Sequence, residues 1–126
     1  GDDRNGDLLR QALGLYRGDY LMSLKSDWVV NRRESLQQAA CDTLIALGRI
    51  CERESSPREA LGYYVRASHL KPEREDSAFA AMRLYRELDM PQDGLKTYQR
   101  LERTLRERLN VTPSPQLQQL AQQLGG

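Results

Sequence analysis

The sequence predicts an all-helical domain of about six helices, arranged as successive antiparallel pairs. Leucine occurs 20 times among the 126 residues, whereas valine and isoleucine together occur six times, and such a composition favours helices over strands. Apolar residues recur at three- and four-residue spacing between breaks at proline and glycine, which is the pattern of amphipathic helices. No stretch has the alternation that is typical of a strand.

Composition also narrows the class of protein. The 19 Lys and Arg residues nearly balance the 18 Asp and Glu residues, for a net charge of +1, whereas a dedicated nucleic-acid arm has a basic excess. No apolar run reaches the roughly 20 residues of a membrane span. We therefore expect one soluble, cytoplasmic domain over residues 8–124, preceded over residues 1–7 by a flexible junction or a cloning remnant.

The two cysteines do not predict a disulfide or a metal site. Cys41 and Cys51 fall in one predicted helix, where a rise of about 1.5 Å per residue separates them by roughly 15 Å. A disulfide requires Cα atoms within about 7 Å, so buried thiols in a reducing cytoplasm are expected. His69 is the only histidine, and the sequence has no Cys-x-x-Cys pair that could share a zinc ion with it. No metal and no cofactor is predicted.

The first two helices are predicted on either side of a break at Gly18. The leading helix covers residues 8–17. After a short turn, Ser26 or Asp27 caps the second helix, in which residues 27–41 are part of a long helix that enters the repeated region described below.

Prolines mark the starts of the later helices. Ser56-Pro57-Arg58-Glu59 predicts a helix start with Ser56 as N-cap, Pro57 at the first helical position and Glu59 completing a capping box. Pro91 and Pro115 mark two further starts in the same way. The predicted helices of this part of the chain cover residues 58–70, 74–88, 91–109 and 114–124.

One block of the sequence recurs at an offset of 34 residues. Ala60-Leu61-x-x-Tyr64 returns as Gly94-Leu95-x-x-Tyr98. Thirty-four residues of helix–turn–helix is the period of the tetratricopeptide repeat, which predicts copies over about 42–75 and 76–109 and a right-handed α-solenoid. Small residues such as Gly48 would leave room where the helices cross closely. Two helical hairpins of chance-equal length are the simpler alternative.

Several motifs in a fixed order resemble those of a known bacterial family. They are Arg17-Gly18-Asp19-Tyr20-Leu21, Asp27-Trp28, Pro72-x-Arg74-Glu75 and the run from Leu105 to Pro113. Over roughly residues 8–124 the chain resembles the bacterial transcriptional activator domain of SARP-type regulators, a tetratricopeptide-like module. The resemblance implies a regulatory domain that, in this family, follows a winged-helix DNA-binding domain of which this chain has no counterpart.

The chain departs from the family pattern at two helix ends. The turn from Glu54 to Pro57 lacks the usual glycine, and Asn110 stands where the family prefers glycine. Asn tolerates the left-handed conformation of a helix C-cap, so the second change is physically mild.

Positions at helical spacing on the first helix of each copy predict a concave groove that binds a partner. Arginines around Ile45 and Phe79 would suit an acidic peptide or a C-terminal carboxylate, because a guanidinium binds a carboxylate through two hydrogen bonds. Alternatively, Asp42, Asp76 and Glu52 simply pair with these arginines along the helix surfaces. The candidate groove residues are Asp42, Ile45, Arg49, Arg53 (or Glu52), Asp76, Phe79, Arg83 and Arg86.

Two further residues have a structural and a functional interpretation. Trp28 is either a binding hot spot or the anchor of a helix N-terminus, and Arg32 beside it either contacts a phosphate or belongs to a solvated face. For His69, the dipole of a helix C-terminus that favours a cation is a sufficient explanation. The sequence has no phosphate-binding loop and no supported catalytic triad, so we do not expect an enzyme.

Three functions follow from the sequence. The first is a regulatory domain that relays a signal to a DNA-binding domain outside this chain. Its partner would be that domain, the transcription machinery or a signalling protein, and a homodimer through the last helix is compatible with it. The second is a stand-alone tetratricopeptide adaptor for an acidic or C-terminal peptide. The third, DNA binding by the arginine-rich faces, is disfavoured by the balanced charge.

Overall fold

The computed structural model describes the backbone of residues 17–125 and the side chains of residues 23–125. This part of the chain is helical and contains no strand, which confirms the predicted all-helical class. The predicted junction and residues 8–16 of the leading helix lie outside the described residues. The helices are α1 (Arg17–Arg53), α2 (Pro57–Leu70), α3 (Glu75–Glu87), α4 (Pro91–Leu109) and α5 (Pro115–Gly125).

Helix α1 differs from the prediction at its N-terminal end. It begins at Arg17 and continues through Gly18 and Asp27 without the expected turn, so the caps predicted at Ser26 or Asp27 are wrong. A glycine inside a helix costs only about 1 kcal/mol relative to alanine, and no proline follows to enforce a stop. Residues up to Leu36 and residues from Gln37 onwards belong to two compact units, which are described separately below.

The ends of α1 and α3 show the 34-residue period in the backbone. Ser55 and Asp89, which are 34 residues apart, both have a left-handed backbone with φ of 60° and 58°. After each helix, one N–H donates to a carbonyl five residues back, from Ser56 to Cys51 at 2.8 Å and from Met90 to Tyr85 at 2.7 Å. This pattern is a Schellman ending. It closes each helix without the glycine that is usual there.

The same ending changes the start of α2. Pro57 is at the first helical position as predicted, but the Ser56 side chain makes no capping hydrogen bond. The capping box is therefore wrong. Its second half needs the Ser56 N–H as donor to Glu59, and the Cys51 carbonyl already accepts from that group. The Glu59 carboxylate instead accepts from the thiol of Cys51 at 3.9 Å.

Two connected groups of apolar side chains form the core of the second unit. The first lies between the C-terminal half of α1, helix α2 and helix α3, and includes Ile45, Tyr64 and Leu84. The second joins α3 and α4 to α5 through residues such as Met82, Leu101 and Leu117. Leu117, Leu120 and Leu124 of α5 are buried, so the last helix supplies a layer of the core.

Close helix crossings depend on small residues. A Cβ atom added to Gly48 would lie 2.5 Å from Cε1 of Tyr64, so the room predicted at this glycine is used by the tyrosine ring. Ala60 and Ala67 are fully buried on the same side of α2. Both cysteines are buried free thiols as expected, and the Cys41 thiol donates to the Ala67 carbonyl at 3.6 Å.

Candidate groove between the first helices of the two repeats

A groove lies between the C-terminal half of α1, helix α3 and the start of α5. Its volume is about 370 Å³, which is within the usual range of ligand sites. We call it the inter-repeat groove. It is lined by Ile45, Arg49, Glu52, Tyr64, Glu75, Asp76, Phe79, Ala80, Arg83, Ser114, Gln116 and Leu117.

Helical periodicity brings these side chains together. On α1, Ile45, Arg49 and Glu52 are four and three residues apart and therefore share one face of the helix. On α3, Phe79 and Arg83 share a face in the same way. Ile45 is buried and Phe79 is half-buried, so the groove has an apolar floor at which a ligand side chain could bind.

Five of the eight predicted groove residues line it and three do not. Ile45, Arg49, Asp76, Phe79 and Arg83 are in the lining. Asp42, Arg53 and Arg86 are not, although they lie on the same helices. The rim therefore does not carry the four arginines that the sequence suggested.

The three predicted residues that do not line the groove lie elsewhere on the surface of the helices. Asp42 accepts a hydrogen bond from Arg74 at 2.6 Å, and Arg86 donates to the side-chain carbonyl of Gln123 on α5 at 2.6 Å. Arg53 is exposed in the last turn of α1. Of the two alternatives considered at that position, Glu52 rather than Arg53 faces the groove, because Glu52 belongs to the lining and Arg53 does not.

Glu52 joins three helices at one end of the groove. Its carboxylate accepts from Arg83 of α3 at 2.5 Å and from the hydroxyl of Tyr64 of α2 at 3.1 Å. Burial, together with the hydrogen bond to Glu52 and the charge of that carboxylate, raises the pKa of Tyr64 to about 12. The tyrosine is therefore a neutral donor at physiological pH, and its ring is held beside Gly48.

Arg74 is a structural residue of the groove that the sequence analysis did not identify. It precedes α3 and donates to Asp76 at 2.7 Å as well as to Asp42. Burial alone would raise the pKa of Asp76, but the hydrogen bonds from Arg74 and from the Ser77 N–H outweigh it and lower that pKa. Arg74 belongs to the motif Pro72-x-Arg74-Glu75, on which part of the family resemblance rests. The sequence analysis therefore noted the residue, but it did not predict its ion pairs.

The lining contains three carboxylates and two guanidinium groups, but most of these charges have partners. Glu52 pairs with Arg83, Asp76 pairs with Arg74, and Glu75 accepts from the Ser114 N–H at 3.3 Å. Glu52 thus pairs with one of the predicted arginines, but between two helices rather than along one, and Asp42 and Asp76 pair with Arg74 instead. Arg49 forms no ion pair within residues 23–125.

The surroundings of His69 oppose the protonation that its position suggested. It lies in the last turn of α2, where a helix dipole favours a cation. Burial and the nearby charge of Arg100 nevertheless lower the pKa of His69. Both effects act against the cation that the helix dipole would favour at this position.

Trp28 in the first unit is not the anchor of a helix N-terminus. It lies inside α1 and is 65% exposed. The guanidinium carbon of Arg32, one turn later, lies 5.8 Å from the centre of the indole ring, at the distance of a cation–π interaction. Arg32 thus has a partner on its own helix.

The described residues also bear on metal binding and on membrane insertion. No group of three His, Cys, Asp or Glu side chains within them could hold a metal ion. Among the helices of residues 17–125, none combines the length and the apolar character that crossing a membrane requires.

Comparison with known proteins identifies a family. Residues 3–124 match the model of a family described as the bacterial transcriptional activator domain. Searches of curated proteins and of solved structures found no match to the chain.

Proposed function

Since the chain belongs to the bacterial transcriptional activator domain family, we propose that it is a non-catalytic regulatory domain that relays contact with a protein partner to a DNA-binding domain outside this chain. It would act in the cytoplasm, where the bacterial transcription machinery works. Family membership alone does not support contact with a partner. The observation that supports it is that Arg49, in the lining of the inter-repeat groove, has no ion-pair partner among the described residues.

The lining of the groove suits a carboxylate next to an apolar side chain. Ile45 and Phe79 give an apolar surface, and the guanidinium of Arg49 could bind a carboxylate through two hydrogen bonds. Arg83 is already paired with Glu52, so it contributes less. We therefore propose an acidic side chain or a C-terminus of the partner at Arg49, rather than a strongly acidic segment spread over four arginines.

The test is transcription from the target promoter with the full-length regulator. Arg49→Glu should lower activation at least tenfold, because a repelled carboxylate removes a charge-assisted hydrogen bond of about 1.5–3 kcal/mol. Arg53→Glu is the matched control, since it makes the same charge change four residues away on an exposed side chain outside the groove. Promoter binding, measured by mobility shift, should be the same in both variants.

Two results obtained with the Arg49→Glu variant alone would reject this assignment of the groove. One is full activation by Arg49→Glu. The other is a parallel loss of promoter binding in that variant, which would mean that the substitution acts on DNA binding rather than on partner contact. An equal loss of activation in both variants would indicate an effect of net charge and would also reject it.

The second candidate function is a stand-alone adaptor for an acidic or C-terminal peptide. The same groove favours it, because peptide binding requires only Arg49 and the apolar floor. The sequence encoded upstream of Gly1 separates the two: a winged-helix sequence supports the regulator, and its absence supports the adaptor. DNA binding by this domain alone would appear as a salt-sensitive mobility shift at about 50 mM salt, and we expect none.

A further inference from the structure

The inter-repeat groove is acidic at one end and basic at the other, and ion pairs show how α1 and α3 lie along it. Arg74 bonds Asp42 of α1 and Asp76 of α3. Arg83 of α3 bonds Glu52 of α1. Both helices therefore run in the same direction along the groove, with Asp42 and Asp76 at one end and Glu52 and Arg83 at the other.

The acidic end lies at the start of α3. Glu75 and Asp76 are both in the lining. Asp76 pairs with Arg74, whereas Glu75 forms no ion pair within residues 23–125. One oxygen of Glu75 accepts from the Ser114 N–H at 3.3 Å. Because an ionised carboxylate has about four acceptor positions, Glu75 can also accept hydrogen bonds from a cation in the groove.

The basic end lies about two helical turns further along. Arg83 comes eight residues after Glu75 on α3, which is about 12 Å at 1.5 Å per residue. Arg83 pairs with Glu52 and with Glu87, which is outside the lining. Arg49 corresponds to Arg83 at the repeat offset and has no ion pair among the described residues. The lining thus has an acid and a cation without ion pairs at its opposite ends.

The apolar floor lies between these two charges. On α1, Ile45 precedes Arg49 by four residues, and on α3, Phe79 follows Glu75 by four residues. Each charge is therefore about 6 Å from the floor along the helix axes. A ligand that matches the whole groove needs a cation, an apolar group and an anion in this order, with the two charges about 12 Å apart.

An extended peptide segment provides this spacing. Its side chains at positions i, i+2 and i+4 lie on one face, and a rise of about 3.4 Å per residue places the first and the third about 13 Å apart. Neighbouring strands lie about 5 Å apart, whereas packed helices are about 8–10 Å apart. An extended chain can therefore lie closer to the floor than a helix can.

We propose that the groove binds an extended partner segment of the pattern cation-x-apolar-x-acid. The cation is bound at Glu75 and the acid at Arg49, and the apolar side chain lies on the floor between them. This inference rests on the proposed binding of a partner carboxylate at Arg49, and adds to it a cation at a defined distance.

The sequence of the chain itself indicates that the segment comes from outside residues 1–126. Residues 1–22 are those at the N-terminal end whose side chains are not described. Nowhere in them do a basic and an acidic residue stand four positions apart with an apolar residue midway, in either order. They therefore have no segment with the pattern that the groove requires.

The probe is the peptide acetyl-Lys-Ser-Leu-Ser-Asp-amide, with two comparison peptides. In the alanine peptide, alanine replaces the lysine. The compact peptide, acetyl-Lys-Leu-Asp-Ser-Ser-amide, has the same composition as the probe but places its charges about 7 Å apart. Binding is followed by amide chemical shifts of the 126-residue chain and of its Glu75→Gln variant. Glutamine removes the charge and keeps an oxygen that can accept from the Ser114 N–H, so the start of α5 should not change.

The expected result is a Kd on the order of 1 mM for the probe. The alanine peptide should bind about fivefold more weakly, the upper value for one partly exposed ion pair, and the compact peptide should bind no better than the alanine peptide. In Glu75→Gln the probe and the alanine peptide should bind equally. Glu107→Gln is the matched control and should keep the fivefold preference, because it makes the same charge change at an exposed acid outside the lining.

Four results would overturn the inference, and they differ in what they leave of the proposed function. Equal binding of the probe and the alanine peptide, lost in Arg49→Met, would leave a carboxylate at Arg49 without a cation at Glu75. A preference for the probe that persists in Glu75→Gln would place the cation elsewhere. Equal binding of the compact peptide and the probe would mean that the spacing of the charges does not matter. Absence of shifts with every peptide up to about 20 mM, well above a millimolar Kd, would overturn the proposed groove function as well.

Discussion

The pair Gly48 and Gly62 allows one substitution to be tested in two opposite environments. Both glycines lie inside helices, but a Cβ at Gly48 would be 2.5 Å from Cε1 and 2.8 Å from Cδ1 and Cζ of Tyr64, whereas nothing lies within 4 Å of one at Gly62. Tyr64 is only 1% exposed, and its hydroxyl is bonded to Glu52. The ring therefore has little freedom to move away from an added methyl group.

The expected magnitudes follow from two opposing terms. Alanine stabilises a helix by about 1 kcal/mol relative to glycine, and a methyl group forced into a packed core costs about 3 kcal/mol at the upper end of the usual range. Gly48→Ala should thus lower the free energy of unfolding by about 2 kcal/mol. Gly62→Ala should raise it by about 1 kcal/mol. At about 4 °C per kcal/mol, Tm should fall by about 8 °C in the first variant and rise by about 4 °C in the second.

Urea unfolding followed by circular dichroism at 222 nm measures both changes. In a Tyr64→Ala background the ring is gone, so Gly48→Ala should become stabilising by about 1 kcal/mol, and the coupling between the two sites should be about 3 kcal/mol. A Gly48→Ala variant as stable as the parent would refute the close approach of α1 and α2. So would an unchanged effect of Gly48→Ala in the Tyr64→Ala background.

Three further substitutions test other parts of the fold. Ser77 is fully buried and its hydroxyl has no hydrogen-bond partner within the described residues, so Ser77→Ala should stabilise the protein by about 1 kcal/mol in urea unfolding; destabilisation would show that the hydroxyl has a partner. Ser55 has a φ of 60°, and Ser55→Gly should raise stability by about 1 kcal/mol because glycine has no steric cost there; a lower Tm would contradict it. The pKa values of Glu73 and Asp76 are lowered in the fold, so their stabilising contribution is present above about pH 4.5 and is lost as the pH falls through the folded-state values. Arg74→Gln should make unfolding measured from pH 7 to pH 3 less dependent on pH, and an unchanged pH profile would contradict the role of Arg74.

Much of the fold was predictable because local signals agree with the packing. Pro57, Pro91 and Pro115 each begin a helix, as the sequence indicated, because a proline at the first helical position gives up no hydrogen bond. The repeat offset placed Gly48 at a close crossing of two helices. These features depend on residues close in sequence or on one periodicity.

The predictions that failed relied on local motifs whose groups have other hydrogen-bond partners or neighbours in the folded chain. Gly18 suggested a break, but nothing forces one in a run of good helix formers. The sequence predicted a capping box that needs the Ser56 N–H, but this group donates to the Cys51 carbonyl at the end of α1. The dipole of α2 would favour a cation at His69, but burial and the charge of Arg100 act in the opposite direction and lower its pKa. In each case a partner outside the local motif decides the outcome.

The candidate groove was predictable in position but not in charge. Helical spacing placed Ile45, Arg49, Phe79 and Arg83 on the helix faces that line the groove. Which charges remain without partners depends on contacts between residues about 30 positions apart, such as Arg83 with Glu52 and Arg74 with Asp42. Only the structure shows that Arg49 is the guanidinium of the lining without a carboxylate partner among the described residues.

The most direct test of the groove is a titration with N-acetyl-leucine, a small molecule with one carboxylate next to an aliphatic side chain. We predict saturable amide shifts at Ile45, Arg49 and Phe79, which disappear in Arg49→Met and persist in Arg53→Met. Shifts that survive Arg49→Met, or no shifts at these residues up to about 50 mM ligand, well above a millimolar Kd, would contradict a partner carboxylate bound by Arg49.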